Sequence, residues 1–219
     1  MKTKVFVYPY KLKGDNFCIE HSIRMVRKYY SDAEIVTIGD RCGFEDVNIP
    51  FKDSFKDRGS NVTAKCLESA LMYDSFIYMN DDFFINDRYD LNITHGSLHD
   101  LERKDRASAN WNTATTNTMH WLKHNGHTIR SFECHQPVVF DSKRLIDLMS
   151  QIEWKENPHF IKSLYFNVHV PIRFQPIDNT KLIKFDKKRA SSLLSIHGCL
   201  SIGGDFLNIS GADYIKKLT

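Results

Sequence analysis

The chain has 219 residues, 42% of them hydrophobic, and a formal net charge of +3, which suits one compact domain whose core needs neither disulfides nor a structural metal. So small a positive balance excludes a heavily basic nucleic-acid binder but permits an anionic ligand. Cys18, Cys42, Cys66, Cys134 and Cys199 form no C-x-x-C pair, which argues against a disulfide framework or zinc site and for reduced thiols in a cytosol.

The opening run Met1-Lys2-Thr3-Lys4-Val5-Phe6-Val7 is too short in its apolar part for a signal peptide and reads as a strand. No apolar segment is long enough to span a bilayer. The expected location is therefore the cytoplasm. Val5 to Tyr10 forms the first strand, interrupted at Pro9. Asp15-Asn16 caps a helix whose apolar positions are Phe17, Ile19, Ile23, Val26 and Tyr30. Glu34 to Ile38 is the second strand, closed by Gly39-Asp40, and this β-α-β opening implies a sheet that is at least partly parallel. A short irregular segment over Phe44 to Pro50 has the character of a third strand. A charged loop covers Lys52 to Arg58, and a helix runs from Ser60 through Leu71 with Thr63, Cys66, Leu67, Ala70 and Leu71 on its buried face.

Ser75 to Met79 is the next strand, and it runs straight into Asn80-Asp81-Asp82-Phe83-Phe84. The polar stretch from Asn86 to Arg106 lacks periodicity, and loops of that length more often serve function than decoration. It holds His95 and His99, which have no metal-ligand spacing, so the stretch reads better as a lid over a bound ligand. A helix is expected over Ala109 to His124, ended by Gly126, then an extended run over Ile129 to Glu133. Val138-Val139-Phe140 closes the sheet, and Asp141 caps a helix through Met149. A further helix is expected from Trp154 to Tyr165, with Pro158 in its first turn.

The strongest chemical signal is the apolar strand that empties into paired acids. Ligands of open α/β sheets gather beyond the carboxyl ends of the strands. A carboxylate there can hold Mg²⁺ or Mn²⁺, which neutralises a departing diphosphate. The plainer reading is a solvated turn, where Asn and Asp are common anyway. The apolar pair Phe83-Phe84 favours the first reading, because it fixes the acids between two buried segments. Asn61 and Lys65 are four residues apart on one helix face, away from the apolar stripe, and suit a base, ribose or phosphate. The alternative for them is an ordinary solvated face. Glu133 and His135 alternate to one side of an extended run, so either could take a proton from an acceptor, or the histidine could be structural. Trp111, just after the long loop, is the better aromatic platform for an acceptor, whereas Trp121 reads as core.

In this order these features resemble the GT-A glycosyltransferase fold, an α/β architecture with a Rossmann-like, mixed but mostly parallel central sheet flanked by helices. The resemblance implies a single domain over 1–219, with 1–84 as the nucleotide-sugar half and 85–219 as the acceptor half. It implies that Tyr8-Pro9-Tyr10 lies near the nucleobase and Asp40 near the base or ribose. Asn80-Asp81-Asp82 stands in the place of a D-x-D motif, with Asn where the first acid is usual. By that pattern Asp82 is the ligand for Mn²⁺ or Mg²⁺, and Asp81 touches sugar or ribose. His197 or Asp205 would complete the metal shell.

Motifs in the same order also resemble the Stealth proteins, which transfer sugar phosphates: Ile77 to Phe84, then His135-Gln136-Pro137, then Cys199 to Asp205, where Gly203-Gly204 replaces polar residues. The chain's small size further resembles compact bacteriophage glycosyltransferases that decorate hydroxymethylated bases in DNA, acting in the cytoplasm of a bacterial host. Such an enzyme would use a UDP-sugar donor and a double-stranded DNA acceptor. Arg103-Lys104-Asp105-Arg106 and Lys187-Lys188-Arg189 could meet its phosphates, although such runs are usually solvated faces. The alternatives are a polysaccharide or glycan acceptor, a nucleotidyltransferase, or a nucleotide-binding module without catalysis. For the last two, Lys11-Leu12-Lys13-Gly14 is only a faint triphosphate loop.

Overall fold

The computed structural model describes residues 3–12, 14–91, 94–96, 109–169, 174–176 and 180–219. In chain order the first half holds β1 (Val5–Tyr10), α1 (Phe17–Tyr29), β2 (Glu34–Gly39), β3 (Val47–Ile49), α2 (Arg58–Met72), β4 (Ser75–Tyr78) and β5 (Phe83–Ile85). There follow β6 (Thr94–Gly96), α3 (Ala109–His124), β7 (Val138–Asp141), α4 (Ser142–Met149) and α5 (Ile161–His169). The chain closes with β8 (Phe174–Pro176), β9 (Lys181–Leu182), α6 (Lys187–His197), β10 (Cys199–Ile202) and α7 (Ile209–Leu218).

The central sheet has the order β3-β2-β1-β4-β7. Its first four strands are parallel and β7 runs antiparallel beside β4, pairing Ser75 with Asp141 and Tyr78 with Val138. The architecture is thus the mixed, mostly parallel sheet with flanking helices that the sequence implied. A second sheet, β5-β10-β9, and the parallel pair of β6 and β8 lie outside the central one.

Near-continuous apolar runs make the central strands buried on both faces, as a parallel sheet under helices requires. Pro9 does not interrupt β1, which pairs with β2 from Val5 through Tyr10. The carbonyl of Val7 accepts from the Met79 amide, so odd residues of β1 face β4, and the missing N–H of Pro9 falls beyond the Phe6–Ile77 and Val7–Tyr78 pairs. Asp141 caps α4 by accepting from the Arg144 amide at 2.9 Å. Asn16 at the head of α1 makes no such cap; its side chain instead joins the Tyr10 hydroxyl to the Cys42 carbonyl.

Two expected elements differ. Residues 154–157 are turns and α5 starts only at Ile161, because Pro158 disfavours helical backbone at the residue before it. Ile129 to Glu133 forms no more than a single bridge, at Ser131, and the Asn167 side chain bonds it beside that, with its Oδ1 accepting from the Arg130 amide and its Nδ2 donating to the Arg130 carbonyl.

Burial is divided between two large apolar cores and a small cluster of Ala114 and Phe160 at the cavity. The larger holds Phe6, Val7, Ile19, Ile23, Ile35, Val36, Phe76, Phe83, Ile85, Phe140 and Leu164. The smaller of the two cores gathers Met25, Phe84, Leu194, Leu200, Ile202, Phe206 and Ile215. Successive residues of β5 point to opposite faces, so Phe83 and Ile85 belong to the first core and Phe84 to the second. The acidic turn is where the chain leaves one sheet and enters the other.

Candidate active site

A cavity of about 860 Å³ opens at the carboxyl ends of β1 and β4, a size usual for small-molecule sites. Pro9, Tyr10, Tyr78, Asn80 and Asp81 form its floor. Loop 53–57 and the first residues of α2, including Arg58, make one wall, and the start of α3 with His159–Lys162 makes another. The second wall is pinned from α3: the Asn117 amide donates to the Pro158 carbonyl at 3.0 Å, and the Phe160 amide donates to Thr118 Oγ1 at 2.9 Å. Helix N-termini of α2, α3 and α5 therefore converge on the cavity, and each carries a partial positive charge.

The structure brings together Tyr10, Asn61, Lys65, Asp81, Trp111 and Glu133 as lining residues. Asp81 is exposed at the floor. Burial, followed by the charge of Asp81, pushes the Tyr10 phenol up to about 12, so it stays protonated and donates to Asn16 Oδ1 at 2.5 Å. Trp111 is 42% exposed and its ring centroid lies 4.5 Å from that of Phe160, the two planes tilted by 53°, which gives the cavity an aromatic wall. Glu133 Oε1 accepts from the Ser163 amide at 3.1 Å and from Ser163 Oγ at 2.9 Å. The carboxylate thereby caps the N-terminus of α5 with one oxygen, and its orientation is fixed.

Asn61 and Lys65, expected to meet a base, ribose or phosphate, do not lie on a solvated helix face, the alternative for them, for both are buried. The Asn61 side chain accepts from the Ser54 and Phe55 amides and donates to the Phe55 and Asp57 carbonyls. It shapes the loop that walls the cavity. The Lys65 ammonium lies 2.8 Å from Asp53 Oδ1 and donates to the Tyr10 carbonyl at 3.1 Å, while Lys11 reaches Asp53 Oδ2 at 3.1 Å. Burial alone would raise the Asp53 carboxyl, but bonds and charge from Lys65 and Lys11 hold it below its ordinary value.

Other named residues lie elsewhere. Tyr8 is fully buried, and its hydroxyl is 2.9 Å from Ser22 Oγ, so it belongs to the core rather than to a base-binding surface. Asp40 is exposed and staples the loop after β1 by accepting from the Leu12 amide at 2.8 Å. Asp82 Oδ2 accepts from Lys181 Nζ at 3.2 Å and from Ser201 Oγ at 3.0 Å. That oxygen is thus committed to tying the acidic turn to β9 and β10. His135 is pushed down to about 3 by burial and by the charges of Lys181 and Lys162. An imidazole that acidic is a poor base near neutrality.

Of the two candidates to complete a metal shell with Asp82, Asp205 follows Ile202, whose amide donates to the Asp82 carbonyl at 3.2 Å, and His197 lies farther off. Antiparallel pairing sets Cys199 opposite Ile85 and Ser201 opposite Phe83, so His197 lies beyond the far end of β5 from Asp82. Asp205 is exposed in a 3-10 turn past the end of β10. Among the described residues no three His, Cys, Asp or Glu side chains gather to hold a metal ion. His99 and the basic run from Arg103 to Arg106 lie outside the described residues, whereas Lys187, Lys188 and Arg189 are exposed in the first turn of α6.

Asp53, Arg58 and Lys162 also line the cavity and Lys181 holds Asp82, and no sequence motif marks any of them. Only Lys162 left a local trace, as a lone charge inside the run Ile161-Lys162-Ser163-Leu164-Tyr165-Phe166. The remaining partners are set by contacts between distant segments.

No family model and no curated protein matches the chain. Among solved structures it is similar to the glycosyltransferase GlyE of Streptococcus pneumoniae TIGR4, at 11% identity and a TM-score of 0.41, over 99% of this chain but only 60% of GlyE. It is also similar to the galactosyltransferase LgtC, solved with donor and acceptor sugar analogs, at 11% identity and a TM-score of 0.47, over 98% of this chain and 94% of that one. The inositol-1-phosphate CTP transferase of T. maritima is similar at 11% identity and a TM-score of 0.48, over 98% of this chain and 95% of that one. Glycosyltransferases are thus among the solved structures to which it is similar.

Proposed function

We propose that the chain is a glycosyltransferase that moves a sugar from a nucleotide donor, UDP-linked by first choice, to an acceptor hydroxyl held in this cavity. The observation that carries the reading is the composition of the cavity at the sheet's carboxyl ends. A pre-oriented carboxylate, Glu133, shares it with an exposed carboxylate, Asp81, an aromatic surface at Trp111 and a set of cations. Sugars stack on aromatic faces and bond carboxylates through their hydroxyls, while cations suit the phosphates of the donor.

In this reading Glu133 is the base. Ser163 holds one carboxylate oxygen, and the other takes the acceptor's proton. The acceptor oxygen forms its bond to the sugar's anomeric carbon as the bond to phosphate oxygen breaks, and the electron pair leaves with the nucleoside diphosphate. Asp81 bonds hydroxyls of the donor sugar or ribose, and Trp111 carries the acceptor. No step is routed through a divalent ion; among the described residues no three His, Cys, Asp or Glu side chains gather to hold one.

The test is a donor panel of UDP-sugars incubated with the protein, with nucleoside diphosphate release as readout. Hydroxymethylated duplex DNA, unmodified DNA and small glycans serve as acceptors. Glu133→Gln is expected to lower kcat by about 100-fold or more with little change in donor KM, as loss of a general base does. Turnover in that variant within a few-fold of the parent would remove Glu133 from the mechanism. Failure of every donor to be consumed would remove the transferase reading itself.

A further inference from the structure

We infer that Lys162, assisted by Arg58, is the fixed cation that receives the donor's diphosphate, so that the leaving group is stabilised by the protein's own charges rather than by an ion on the acidic turn. This rests on the donor reading above and assigns its phosphate subsite.

Lys162 lines the cavity but is only 7% exposed. Its ammonium has three donors. One goes to the Cys134 carbonyl at 2.7 Å, and the Tyr78 ring centroid lies 5.9 Å away. Among the described residues no carboxylate pairs with it, in contrast to Lys65, the other buried lysine of the cavity, whose charge meets Asp53 at 2.8 Å. A buried charge without a counter-charge is costly, and such groups are found paired. The two lysines therefore differ in role: Lys65 is neutralised within the protein, and Lys162 keeps its charge for something that enters the cavity.

Arg58 is the first residue of α2, is exposed and lines the same cavity. Arg58, Lys162 and the Tyr78 ring that Lys162 faces all line this one cavity. A guanidinium and an ammonium beside a helix N-terminus form a site for a phosphate group. The acids are arranged the other way. Asp82 already has Lys181 and Ser201 on one oxygen, and no metal-binding group forms among the described residues. During transfer the phosphate oxygen that parts from the sugar keeps the bonding electrons. The Lys162 ammonium offers a hydrogen bond to the charge that develops there.

The experiment is calorimetric titration of the intact, EDTA-treated protein with UDP, with GDP, CDP and ADP in parallel, and with the matching nucleosides. The expected result is binding of one diphosphate in the presence of EDTA, at least 10-fold tighter than its nucleoside. Lys162→Met should weaken it by about 10- to 100-fold, the usual range for loss of a charged hydrogen bond, while nucleoside binding stays unchanged. Should Lys162→Met fail to fold, Arg58→Ala, at an exposed position, is expected to cost about 10-fold in diphosphate binding alone. Diphosphate binding that appears only with added Mn²⁺ or Mg²⁺, or that is unchanged in both variants, overturns the assignment while leaving the donor reading in place. If no diphosphate binds with or without metal, both fall together.

Discussion

At the residue scale, the acidic turn divides into positions with different work. Asp81 is exposed at the cavity floor, while Asp82 turns back to Lys181 and Ser201, with side-chain exposures of 17% and 24% for the ion pair. The bonds of Asp82 cross from the end of the central sheet to β9 and β10, so its removal should be read in stability before activity. Asp82→Asn keeps the shape and loses the charge. It is expected to cost about 1–2 kcal/mol, lowering Tm by roughly 2–8 °C in a chain of this size. A thermal melt checks this, and an unchanged Tm with loss of turnover would return Asp82 to a direct role in the reaction. The pair of acids was legible in the sequence because an apolar strand ran into it. Which acid faces the cavity was not, since that depends on Lys181 and Ser201, far along the chain. The same holds for Lys65, whose partner Asp53 lies on a loop with no periodicity of its own.

At the scale of elements, local signals sufficed where a cap or a clean period was present. The span of α3 over Ala109–His124 and the capping of α4 by Asp141 follow from sequence directly. The short strands β9 and β10 carried no such signal, and the helix expected across Pro158 lost to that proline's effect on its neighbour. The loops at the sheet's carboxyl ends depend on one backbone position in particular. Gly39 has φ of +120°, and a Cβ there would stand 2.1 Å from the Tyr10 carbonyl oxygen and 3.0 Å from Lys65 Nζ. The absence of a side chain lets the Asp40 amide and the Lys65 ammonium both reach the Tyr10 carbonyl. Gly39→Ala is therefore expected to destabilise by about 2–4 kcal/mol, combining backbone strain with overpacking. It should also weaken ligand binding by displacing Lys65 and the floor beside it. Urea denaturation measures the first effect, and a midpoint equal to the parent's would mean that β2 and its loop shift without cost.

At the scale of the whole molecule, two cores meet along α1 and β5, and the cavity lies where the central sheet's carboxyl ends face the helices of the second half. Among the described residues no helix is long and apolar enough to cross a membrane. This packing leaves several histidines away from water. Burial lowers His21, His159 and His169, and burial with the charges of Lys181 and Lys162 takes His135 down to about 3. In the unfolded chain each returns to about 6.5. Between these values the unfolded state binds more protons than the folded one, so stability falls as pH drops through 6.5. The depressed carboxyls act in a separate window. Burial would raise Asp53 and Glu45, but hydrogen bonds outweigh it and lower both. Their contribution is present above the unfolded carboxyl values and is lost only below about pH 4. From pH 7.5 to 5.5 the shifted histidines, not these carboxyls, set the trend. The urea midpoint is thus expected to be lower at pH 5.5 than at 7.5, and His135→Gln should recover part of the difference because its amide takes up no proton. Equal midpoints at the two pH values would mean that His135 gains a proton in the folded state.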